Sequence, residues 1–113
     1  MRMNAIAAAF GLTCGLLVSQ AAGAADADAA QALAKKEGCM KCHAIDKKKE
    51  ASSFTEIAKK WAGKSDAEAK LIHHITSGEK VKMEDGTEDD HKIIKTKDVA
   101  EQKNLVNWIL SLK

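Results

Sequence analysis

Cys39-Met40-Lys41-Cys42-His43 is the stretch that decides how the rest of this chain is read. Two cysteines three positions apart serve few structural ends. A disulfide between them closes a very small loop and stabilises little. A thiol redox pair would follow a strand and open a helix. Here a helical pattern comes before the pair, and the lysine-rich run Asp46 to Glu50 follows it. A zinc knuckle needs further Cys or His residues in paired spacing. His73 and His74 are adjacent rather than spaced, and the remaining cysteine, Cys14, lies far away in the apolar N-terminal stretch.

The histidine directly after the second cysteine completes a different pattern. C-x-x-C-H is the attachment signature of a covalent haem. The two thiols reach the vinyl groups on one edge of the porphyrin, and the adjacent His43 turns under the ring toward iron. Cys39 and Cys42 are therefore the expected thioether residues, and His43 the expected proximal ligand of one haem c.

Working outward, the chain has 113 residues, room for one domain. Arg2, an apolar stretch from Ala5 to about Ala22, and the small-x-small run Ala22-Gly23-Ala24 read as a secretory signal peptide over 1–24. The domain is then expected over 25–113, exported to the periplasm and without stable membrane insertion. It has no Pro, no Tyr and few large aromatics, Phe54, Trp61 and Trp108, so a side-chain core alone is marginal at this size. A flat apolar cofactor would supply the missing interior. The 18 basic and 16 acidic residues nearly cancel, which argues against a nucleic-acid partner.

Four helices are expected, an all-α architecture wrapped around the haem. Asp26 or Asp28 caps the first, which stops at Gly38. Ser53-Phe54-Thr55-Glu56 is a capping box, followed by Ile57, Ala58 and Trp61 at helical spacing and by Gly63. Ser65-Asp66-Ala67-Glu68 reads as a second capping box, with Leu71, Ile72 and Ile75 behind it and Gly78 at the end. Thr96 or Asp98 caps the last helix, whose expected buried face is Leu105, Val106, Ile109, Leu110 and Leu112. Between Gly78 and Thr96 the chain reads as an irregular charged loop with a turn at Asp85-Gly86.

Ala34-Lys35-Lys36-Glu37-Gly38 leading into the motif, the run Phe54 to Gly63, and the closing Leu105 to Leu112 together resemble the small bacterial class I c-type cytochromes. The resemblance covers most of the chain after the signal segment. It implies that the first and last helices cross, that a haem sits in a helical shell with one edge exposed, and that the function is electron transfer rather than catalysis.

The resemblance also implies a sixth iron ligand, and here the sequence departs from the family. The usual Met comes from a loop before the last helix, often beside Pro, and this chain has no Pro. Met40 lies inside the attachment motif and cannot reach the far side of the ring. Counting back from Trp108 lands near His91, with Met83 some eight residues too early. His91, giving bis-histidine ligation, is the favoured sixth ligand; Met83 is the alternative, with His73, His74 or an open site behind it. The Gly-Pro pair that follows the motif in the family is matched by Ala51 and Ser52. The Ser52 carbonyl is the expected acceptor for the His43 N–H.

Two functions follow. The first is an electron carrier, with Lys41, Lys47, Lys48 and Lys49 placed to steer an acidic redox partner and the acidic run Glu84 to Asp90 able to meet a basic one. The second is a gas-binding or peroxide-active haem protein, which requires a labile sixth position.

Overall fold

Three of the four helices begin where a short polar side chain takes a free backbone N–H, the cheapest way to satisfy the donors a helix leaves open. The computed structural model describes residues 24–113 together with Gly11 and Gly15, so the expected signal peptide lies outside the described residues apart from these positions and Ala24. Helix α1 spans Ala27–Lys36, with Asp26 accepting from the Ala29 N–H at 3.1 Å. Helix α2 spans Phe54–Trp61, with Ser53 accepting from Glu56 at 3.1 Å. Helix α4 spans Val99–Ser111, with Asp98 accepting from Ala100 at 2.9 Å.

Helix α3, Ala67–Ser77, departs from the expectation. Its N-cap is Asp66, and neither Ser65 nor Asp66 supplies a capping side chain. Ala67 instead donates its N–H to the Lys64 carbonyl at 3.2 Å, so a backbone turn does the work assigned to the capping box.

The second departure is between Gly78 and Thr96. Lys80–Lys82 (β1) and Glu88–Asp90 (β2) form an antiparallel hairpin where an irregular loop was expected. No apolar alternation marks it, because all three β2 residues are exposed. Charge sets the register instead: Lys80 faces Asp90, Val81 faces Asp89 and Lys82 faces Glu88, with Lys80 Nζ 2.9 Å from Asp90. Opposite charges facing across strands stabilise such a pair. The expected turn is present. Gly86 takes φ +85°, and Asp85 accepts from both the backbone N–H (2.9 Å) and the hydroxyl (2.6 Å) of Thr87.

The core lies where α1 and α2 pack on α4, and α3 closes it. Ala30 and Ala34 present small, fully buried side chains, so α1 can approach α4 closely. Where they meet, Asp26 and Asn104 exchange two hydrogen bonds, at 2.8 and 3.0 Å. The buried face of α4 is Gln102, Leu105, Val106, Trp108 and Ile109, while Leu110 and Leu112 are only partly covered. Trp108 meets Phe54 edge-on with ring centroids 5.7 Å apart, the favourable arrangement for two π-systems. Phe54 in turn stacks on His43 at 5.0 Å, which carries the core directly to the motif. Among the described residues no helix is long and apolar enough to cross a membrane.

Candidate cofactor site

The chain leaves α1 through a left-handed residue, Gly38 at φ +77°, and enters a short 3-10 turn, Cys39–Lys41. Glycine is favoured there by its backbone, and the one close neighbour is the flexible end of a lysine. The dihedral disfavours any side chain, and a Cβ would stand 2.8 Å from Lys92 Nζ. The 3-10 turn places Cys39 and Cys42 on the rim of a cavity of about 360 Å³, both as free thiols. Burial raises the pKa of each, and the carboxylates of Glu37 (at Cys39) and Glu50 (at Cys42) push in the same direction. Redox-active cysteines need the opposite, a stabilised thiolate. The pair is thus poorly suited to thiol–disulfide exchange.

His43 follows the turn and enters the same cavity. Its Nδ1 lies 2.6 Å from the Ser52 carbonyl. A carbonyl only accepts, so Nδ1 must carry the proton and Nε2 presents a lone pair. Ala51 and Ser52 thus supply the acceptor without a Pro. The backbone there is held by Ala51 N–H to Cys42 O at 3.0 Å and Phe54 N–H to Ala44 O at 2.9 Å.

His91 faces His43 with ring centroids 6.3 Å apart. Its Nδ1 donates to the Lys92 carbonyl at 2.9 Å, so it too offers Nε2. Burial lowers the pKa of both rings; a hydrogen bond to Ser52 opposes this at His43, and neighbouring His74 reinforces it at His91. Both therefore favour the neutral, ligating form. An imidazole–metal bond is about 2.0 Å and a ring centroid lies roughly 1.1 Å behind its nitrogen, so two imidazoles reaching one metal from opposite sides would have centroids ~6.2 Å apart.

The other candidates are placed differently. Met83 opens the hairpin turn, donating its N–H to Thr87 O at 2.7 Å, and its side chain lines the same cavity. His74 packs on the His91 ring at 4.1 Å, and its Nδ1 donates to Glu79 at 2.5 Å. His73 is exposed, 3.7 Å from the same carboxylate. Of the lysines near the motif, Lys48 pairs with Glu84 at 3.0 Å and Lys49 donates to the Met40 carbonyl at 2.7 Å, while Lys41 and Lys47 are exposed.

The interior wall is apolar, Phe54, Ile57, Leu71, Ile75, Ile94, Leu105 and Ile109, while His74 and the charged Glu37, Lys41, Asp89, Asp90 and Lys92 also line the cavity. Two thiols on one rim, opposed imidazoles and an apolar wall fit a flat iron porphyrin. Glu37 was not legible as part of this wall. It is buried, 3 % exposed, and its carboxylate accepts the Lys95 N–H at 2.7 Å. The one available signal was an acidic residue at a helix C-terminus, where the helix dipole disfavours negative charge.

Comparison with known proteins agrees with this geometry. Residues 27–113 match the family model for cytochrome c. The chain is 40% identical over 67 residues to cytochrome c-551 of Pseudomonas aeruginosa, covering 59% of this chain and 62% of that protein, a little under two thirds of its length. It is 37% identical over 86 residues to cytochrome c-552 of Hydrogenobacter thermophilus, covering 72% and 79%. The structure is similar to that of the class 1 cytochrome MtoD from Sideroxydans lithotrophicus ES-1. The TM-score is 0.74 and the identity 56%, over 78% of this chain and 97% of that one. The small all-α fold, the cofactor cavity and these matches place the chain in the cytochrome c family, electron-transfer proteins that carry one covalent c-type haem and are not enzymes.

Proposed function

We propose that this chain is an exported, periplasmic electron carrier whose haem is attached through Cys39 and Cys42 and ligated by His43 and His91. The observation that carries the ligand assignment is the opposed pair of imidazoles, 6.3 Å apart, each with Nδ1 committed to a backbone carbonyl. Residues 1–24 serve as the signal peptide in this reading.

The bound haem supplies a one-electron ferric–ferrous couple. The chain's own residues do the rest. Ser52 fixes the tautomer and orientation of His43 and raises its basicity. The Lys92 carbonyl does the same for His91. Phe54 and the apolar residues of α3 and α4 exclude water and lower the local dielectric, which limits reorganisation when the charge changes. Two imidazoles stabilise ferric iron relative to a thioether, so the potential is lower than with a Met ligand. Met83, lining the same cavity, is the second reading for the distal position. Redox partners are recognised by charge: exposed Lys41, on the cavity rim, and exposed Lys47, close to the motif in sequence, favour an acidic partner surface.

Carbon monoxide separates a carrier from a gas-binding protein, because it needs a vacant or labile position. Mixed with the reduced holoprotein, it is expected to bind slowly and incompletely. Rapid, full formation of the adduct would instead establish the gas-binding or peroxide-active alternative.

A further inference from the structure

We infer that Glu37 is a positioning residue that holds the His91 segment against the iron. The inference rests on His91 being the distal ligand.

The attachment side of the cavity, 37–52, and the distal side, 79–95, are joined among the described residues by one hydrogen bond and one ion pair. The ion pair is Lys48 to Glu84, both ends more than half exposed, where water and salt weaken it. The hydrogen bond is Lys95 N–H to Glu37 Oε2, at 2.7 Å, with the Glu37 side buried and Lys95 at the surface. Burial of the acceptor decides between them, since a buried side-chain oxygen is costly to leave without its donor.

Position matters as much as strength. Glu37 ends α1 and is followed by Gly38 and Cys39, so it moves with the attachment turn. Lys95 closes the segment that begins at His91. The other backbone ties of that segment go to distal elements: the His91 N–H to Glu79 O at 2.9 Å and the Ile94 N–H to Ile75 O at 3.0 Å. Those bonds fix the segment to α3 and the hairpin but not to the haem. Glu37 fixes it to the same turn that bears the thioether cysteines, and so sets the distance between the two axial histidines.

The test is the rate at which carbon monoxide displaces the distal ligand in the reduced holoprotein, with amide exchange at Lys95 as a second readout. Glu37→Ala is expected to accelerate both by about tenfold or more. Glu37→Gln keeps a side-chain oxygen that accepts the same N–H and is expected to stay near wild type. Ser53→Ala removes the α2 cap, lowering global stability away from this contact, and is expected to leave both rates unchanged. Glu37→Asp, with its acceptor withdrawn by about one carbon–carbon bond, replaces the Ala variant if that chain does not accumulate, and is expected to accelerate both rates too. Wild-type rates in Glu37→Ala or Glu37→Asp would overturn the inference. So would Glu37→Gln matching Glu37→Ala, or Ser53→Ala accelerating the rates in proportion to lost stability. Failure of the ligand assignment shows separately, as a His91→Ala spectrum identical to wild type.

Discussion

A chain with both Cys39 and Cys42 replaced by Ala is expected to carry no covalent haem and to lose cooperative folding at ambient temperature. The argument is one of volume. The cavity of about 360 Å³ is walled by the side chains that would otherwise be the core. Leaving such a volume without its occupant costs up to about 9 kcal/mol at the scale measured for engineered cavities. A domain of this size has only about 5–15 kcal/mol of stability in total. Few other residues can compensate: the large side chains buried almost completely are Phe54, Ile94, Leu105, Val106 and Trp108, and three of these (Phe54, Ile94 and Leu105) themselves line the cavity. The measurement is haem stain on a denaturing gel together with circular dichroism during heating. A double variant that melts cooperatively near the wild-type temperature would show that the helices need no cofactor to hold them.

His91→Ala has the second largest expected effect. In the proposed bis-histidine site, removing one of the two imidazoles withdraws a ligand that favours ferric iron. The potential should rise by ~0.1 V, a modest part of the roughly 0.8 V range that axial ligands command. The direction holds whether water enters the vacated position or Met83 reaches it from the hairpin turn, because a thioether also favours ferrous iron. Carbon monoxide should then bind rapidly to the reduced protein. Spectroelectrochemical titration of the variant beside wild type checks this. An unchanged potential and an unchanged spectrum would place the distal ligand elsewhere, with Met83, which lines the same cavity, the next candidate.

Much of this architecture was legible from local chemistry. Asp26, Ser53 and Asp98 cap their helices as short polar residues before apolar-periodic runs do, and Gly38, Gly63 and Gly78 take positive φ where those runs end. The attachment turn was legible for a different reason: five consecutive residues carry all of its chemistry. What escaped were features decided by contacts distant in sequence. The hairpin has no apolar alternation, and its register depends on lysines meeting carboxylates six and ten residues away, as Lys82 meets Glu88 and Lys80 meets Asp90. Asp66 heads α3 without a capping side chain because the Lys64 turn precedes it. Glu37 reads as one more charge in a lysine-rich helix end, and its partner, Lys95, is 58 positions away.

The distal ligand falls between these cases. Counting back from Trp108 points near His91, but three histidines and Met83 compete for the role. What favours His91 is a tertiary fact, the 6.3 Å approach of its ring to that of His43 with both Nε2 atoms left free. The spectrum of the oxidised wild-type holoprotein tests this most directly. Bis-histidine ligation predicts a low-spin ferric spectrum without the methionine–iron charge-transfer band. A clear charge-transfer band that vanishes in Met83→Ala would contradict the account and assign the distal position to the hairpin.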